Sequence, residues 1–100
     1  MTELGIPPAA TRDPRAFEMM RVWIAEHRLH CAMNIGVYEA QCIAEERAWG
    51  IILADAAQHL ADALSSEGLR ERKDVLRDIR THFQAELDDP TSRTCGSFRD

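Results

Sequence analysis

Residues 19–37 read Met19-Met20-Arg21-Val22-Trp23-Ile24-Ala25-Glu26-His27-Arg28-Leu29-His30-Cys31-Ala32-Met33-Asn34-Ile35-Gly36-Val37, and their periodicity decides the fold. Leu29, Cys31, Met33, Ile35 and Val37 alternate with His30, Ala32, Asn34 and Gly36, the pattern of a half-buried strand. Met20, Val22 and Ile24 alternate with Arg21 and Trp23 in the same way. A two-residue loop at His27-Arg28 would set Ile24 opposite Cys31, Val22 opposite Met33 and Met20 opposite Ile35, an apolar face throughout. The other face would pair Ala25 with His30, Trp23 with Ala32, Arg21 with Asn34 and Met19 with Gly36. A slip of one residue would swap every side chain to the wrong face. His-Arg is a poor type I′ turn, which needs positive φ, so a longer or bulged loop stays open. A helix competes: Asp13-Pro14 is a helix start, and Phe17, Met20 and Ile24 have helical spacing. A helical turn over 14–18 ahead of the first strand satisfies both signals.

Outward from this hairpin, 100 residues suffice for one domain with a modest core. Residues 1–13, with Pro7 and Pro8, read as an extended arm that Leu4 and Ile6 pin to the body. Residues 14–89 form a single α+β domain, and 90–100 have the composition of a loose tail anchored only by Phe98. Within the domain, Trp49, Ile52, Leu53, Ala56, Leu60, Ala63 and Leu64 recur at helical spacing over 43–66, with Glu45 and Glu46 in the first turn, where the helix dipole favours acids. Such a helix is about 33 Å long, enough to cover a hairpin face of about 25–30 Å. Gly50, Ala54, Ala57 and Ala61 make a stripe of small residues beside it. Glycine inside a helix costs about 1 kcal/mol relative to alanine, so the stripe predicts close approach by another helix. Gly68 reads as the stop signal. Leu69, Leu76, Ile79, Phe83 and Leu87 then mark a second helix over 69–87, ended by Pro90.

The charge of −5 disfavours nucleic acid as a partner, because Arg70, Arg72, Lys73, Arg77 and Arg80 are interleaved with acids. Three cysteines at unrelated spacings make neither a zinc ribbon nor a redox pair. The first residues do not resemble a signal peptide, and no apolar run reaches the ~20 residues of a membrane span. A cytoplasmic protein without membrane contact is the expectation.

Candidate chemistry is sparse. Asp55, His59 and Asp62 share one side of the long helix at spacings that metal ligands use; a solvated polar flank is the plainer reading. His30 and Cys31 cannot form a catalytic pair, since neighbours in a strand point to opposite faces. No phosphate loop, nucleophile elbow or zinc-protease motif is present, and no cofactor is implied. Trp49 falls on the buried stripe. Trp23, beside Arg21, falls on the second hairpin face, and tryptophan and arginine concentrate at interface hot spots.

Ile6-Pro7-Pro8, Asp13-Pro14, Arg21-Val22-Trp23-Ile24-Ala25, Leu29-His30-Cys31 and Ala48-Trp49-Gly50-Ile51-Ile52-Leu53-Ala54-Asp55 resemble a family of short alphaproteobacterial proteins, domain of unknown function 5076. The resemblance covers most of residues 6–64. It implies small size and a cytoplasmic location, and it brings no catalytic residues to carry over.

Together these readings predict an α+β fold: an N-terminal antiparallel β-hairpin packed on two C-terminal antiparallel helices and completed by dimerisation. A lone hairpin is marginal in water, and the outer edge of strand 29–37 would carry unpaired backbone groups. The expected partners are a second copy and a further protein. The expected contact residues are Arg21, Trp23, His30 and Asn34 on the sheet, and Gly50, Ala54, Ala57 and Ala61 on the helix. The functional expectation is a homodimeric interaction or adaptor module without catalysis. The alternative is a small metal- or ligand-binding enzyme built on Asp55, His59 and Asp62.

Overall fold

Glu26 and His27 reverse the chain between β1 (Met20–Ala25) and β2 (Arg28–Met33), each with positive φ, 52° and 62°. Two consecutive left-handed residues make a tight hairpin whose twist matches its strands. The loop therefore lies one residue earlier than the pattern suggested. Ala25 pairs with Arg28, Ile24 with Leu29, Trp23 with His30, Val22 with Cys31, Arg21 with Ala32 and Met20 with Met33. Each partner has moved by two positions, so the two faces keep their membership although every expected pair is replaced. Neither Glu nor His favours left-handed backbone. Replacing Glu26-His27 by Asn-Gly is expected to stabilise the fold by about 1 kcal/mol, raising Tm by about 4–8 °C in calorimetry.

The computed structural model describes residues 3–98. Ahead of the hairpin, α1 (Pro8–Arg12) begins with proline at its first position. It gives the expected extended arm one helical turn and more. Asp13 then makes a turn, not a helix start: its side chain accepts from Arg15 N at 2.9 Å and its carbonyl from Ala16 N at 3.0 Å. Leu4 and Ile6 pin nothing, being 90% and 70% exposed. The arm is held instead by an ion pair between Glu3 and Arg21 at 2.9 Å.

After β2 a single 3-10 turn (Glu39–Gln41) leads into α2 (Glu45–Ser65), and α3 (Arg72–Asp88) folds back along it. Gly68, with φ 80°, lies in the connection between them. Leu69, expected in the second helical stripe, precedes α3 and is 84% exposed. Ala61 is fully buried and Val75 nearly so. Arg72 ties the two helices, donating to Asp62 at 2.6 Å and to Gln58 at 2.9 Å.

Residues 95–97, expected to belong to a loose tail, form β3 (Cys95–Ser97), which pairs in parallel with β2. The sheet order is β1-β2-β3, so the outer edge of β2, expected to await a second chain, is covered by the chain's own C-terminal strand. The return from α3 is held by Glu86, whose carboxylate accepts from Thr91 Oγ1 at 2.7 Å and Thr91 N at 2.9 Å. Both bonds hold its pKa below the ordinary value.

Close backbone packing joins β1 with β2, β2 with β3 and α2 with α3. The expectation that α2 covers the whole apolar hairpin face is corrected on β1, where Val22 is 45% and Ile24 67% exposed. Trp49 is buried, as its place on the helical stripe required. Among the described residues no helix is long and apolar enough to cross a membrane.

Candidate functional site

Residues in register on adjacent strands carry side chains to the same face. Trp23 pairs with His30, and His30 pairs with Cys95. The face opposite the Val22–Ile24 side therefore carries a row of tryptophan, imidazole and thiol across three strands, flanked by Arg21 and Arg28. Trp23, His30 and Cys95 are half-buried, whereas Arg21 and Arg28 are exposed. The Ala25 carbonyl can only accept, so in its 3.1 Å contact with His30 the ring Nε2 donates. Arg28 Nη1 donates to Cys95 Sγ at 3.4 Å. Arg21 bridges Glu3 at 2.9 Å and Glu18 at 3.2 Å. An aromatic surface beside arginines can stack against a partner and donate to its carbonyl or carboxylate groups.

Of the other expected contact residues, Asn34 extends the hairpin, its N–H donating to the Met19 carbonyl at 2.9 Å. The small-residue stripe divides along α2: Ala61 is buried, Ala57 half-buried, and Ala54 and Gly50 exposed. A Cβ at Gly50 would meet nothing within 4 Å, so the close approach expected there is absent in the single chain. Gly50→Ala is accordingly expected to stabilise by about 1 kcal/mol, the helix-propensity difference, with urea unfolding as the measurement.

Asp55, His59 and Asp62 do not converge. Asp62 is engaged by Arg72, Asp55 and His59 are exposed, and no group of three His, Cys, Asp or Glu among the described residues could hold a metal ion. The basic residues near α3 are largely paired: Arg70 with Glu67, Arg72 with Asp62, Lys73 with Glu71, and Arg77 with Asp74 and Asp78.

Two residues matter that patterning left aside. Cys95 joins the face only through β3, which has no periodicity over three residues. Glu45 does far more than begin a helix. Its carboxylate accepts from the backbone N–H groups of Gly36 at 2.9 Å, Tyr38 at 2.7 Å and Glu39 at 3.0 Å, and from Trp49 Nε1 at 3.3 Å. This cage fixes the exit from β2 against the first turn of α2. The Gly36 bond is the largest cause of a pKa lowered from the ordinary carboxyl value, with Tyr38, Glu39 and Trp49 adding to it against partial desolvation. A lowered folded pKa means the stabilisation is fully present above the unfolded value near 4.5 and is lost as pH falls through the folded pKa. Glu45→Gln is expected to lower Tm by about 5–10 °C at neutral pH. The gap from the parent should narrow as a thermal-melt series descends into acid; a gap unchanged with pH would contradict the cage.

Residues 3–91 match the sequence pattern of the family described as Domain of unknown function (DUF5076). No curated protein matches the chain. Among solved structures, a "putative pyruvate dehydrogenase" from the photosynthetic bacterium Rhodopseudomonas palustrus CGA009 is similar at 25% identity and a TM-score of 0.69, over 93% of this chain and 90% of that one.

Proposed function

The chain belongs to the family described as Domain of unknown function (DUF5076), and we propose that it works as a homodimeric interaction module without catalysis of its own, presenting the Trp23 face to a further protein. One observation carries this reading. The chain exposes 8628 Å², whereas a folded monomer of 11.3 kDa is expected to expose about 5700 Å². Its radius of gyration, 15.6 Å, likewise exceeds the ~13 Å of a compact chain of this length. The excess is about 2900 Å²; obligate dimers bury on the order of 1000–2500 Å² per chain, so a large dimer interface accounts for most of it. Sedimentation equilibrium should give twice the chain mass at micromolar concentration, and a monomer would overturn the reading. Trp23→Ala should leave the dimer intact and weaken capture of the further protein by at least about tenfold, the scale of a tryptophan contact.

The metal-binding alternative makes a different prediction. A rise in Tm on adding zinc or manganese, abolished by His59→Ala, would favour it, because binding to the native state alone stabilises by mass action. The exposure of Asp55 and His59 and the engagement of Asp62 by Arg72 support the opposite outcome. The solved neighbour's name suggests a test too: pyruvate-dependent reduction of ferricyanide, an acceptor that takes electrons directly from the thiamine-bound intermediate, is expected to be nil with the purified chain, thiamine diphosphate and magnesium.

A further inference from the structure

We infer that the two copies join by laying β1 of each chain into the groove along α3 of the other, with Val22 and Ile24 against Ile79, Phe83 and Leu87, and that a twofold axis repeats the contact. The inference rests on the homodimer reading and assigns its surfaces.

The groove runs beside α3, encloses about 1110 Å³, and is lined by Leu64, Val75, Ile79, Phe83 and Leu87 on its apolar side. Phe83 is 49% and Leu87 63% exposed, although both stand on the apolar stripe of their helix. β1 is an edge strand whose Val22 and Ile24 point out of the sheet into solvent. The dimensions agree. Six residues of strand span about 20 Å, and α3 from Val75 to Leu87 rises about 18 Å. Val22 and Ile24 stand about 6.6 Å apart on one face, and Ile79 and Phe83 about 6 Å apart on one side of the helix.

The chain cannot easily make this contact with itself. α3 leads through residues 89–94 into β3, and Pro90, Ser92, Arg93 and Thr94 wall its groove. β3 lies two strands from β1, about 10 Å across the sheet. A dimer of this kind removes a large part of the surface excess of about 2900 Å². Part of it belongs to residues 3–18, and part is the apolar surface of β1 and α3, which chains of this length ordinarily bury. Two unlike patches on one chain, each used once by each copy about a twofold axis, give a closed dimer and leave neither exposed.

A paired substitution tests this. Ile24→Lys and Phe83→Glu each spoil both contacts in their own homodimer. Each should raise the dissociation constant by about 100-fold or more, the scale of losing a buried side chain at each contact. In a mixture, one contact keeps Ile24 against Phe83 and the other sets lysine against glutamate, so the mixture should dimerise where the single variants are monomers. On the unmodified protein, isotope-filtered NOE spectra of mixed labelled and unlabelled chains should connect Ile24 methyls to the Phe83 ring between copies, whether or not the variants fold. A dimeric wild type lacking those cross-peaks, a single variant that stays dimeric, or folded variants whose mixture stays monomeric would overturn the assignment and leave the homodimer reading standing. A monomeric wild type would end both.

Discussion

Trp49→Ala is expected to lower stability by about 3–5 kcal/mol, the range for removing a buried aromatic side chain. Trp49 is 8% exposed and belongs to a core of few buried residues, with Ala48, Ala61 and Val75. The truncation opens a cavity with little apolar neighbourhood to collapse into it. It also removes the indole N–H from the Glu45 carboxylate, so the connection from β2 loosens at the same time. In urea the midpoint should fall by about 2–3 M at unchanged slope. Unfolding should be followed at one fixed protein concentration, because dimerisation would make it concentration-dependent. Trp49→Phe keeps most of the apolar volume and should recover more than half of the loss. A loss below about 1 kcal/mol for Trp49→Ala would show that the Glu45–Trp49 corner is not the centre of the core.

Gly96→Ala should detach β3. Gly96 has φ 150°, and a Cβ there would collide with the carbonyl oxygen of Cys31 across the parallel ladder. Neither group can yield, because both are backbone held by pairing. The local cost includes about 1–3 kcal/mol for a backbone conformation that essentially only glycine adopts. Hydrogen exchange should show protection falling by at least tenfold at residues 95–97 and Cys31, while α2 and α3 keep theirs. The freed edge of β2 would be a template for pairing with other chains, so aggregation at high concentration should accompany the change. Ser97→Ala, at the next register position, should leave exchange nearly unaltered. Retained protection in Gly96→Ala would contradict the close approach of the two strands.

These effects fall where patterning alone could see only part of the reason. Trp49 was legible as core because helical spacing is a local property, and its burial follows from the stripe it occupies. The hairpin was legible for the same reason: alternation defines two faces, and a shift of the turn from His27-Arg28 to Glu26-His27 moves partners by two and preserves both. The turn itself was not legible, because nothing in Glu-His favours two left-handed residues; the demand for a tight, twisted connection selects them. Gly96 looked like turn composition, and only the strand beside it shows why a side chain is excluded. Asp55, His59 and Asp62 illustrate the converse. Their spacing is a fact of one helix, and a metal site needs ligands converging from several elements.

The sequence by itself determined the α+β class, the two long helices, the membership of the hairpin faces and the burial of Trp49, because each rests on periodicities of 2 and 3.6 residues that act within a segment. Tertiary structure alone decided that residues 95–97 return to β2, that Cys95 stands beside His30 and Trp23, that Glu45 gathers four donors, and that β1 is left uncovered. Those outcomes depend on where distant segments meet. Such meetings are set by competition among all apolar surfaces and unpaired backbone groups at once, and no short-range pattern records the result.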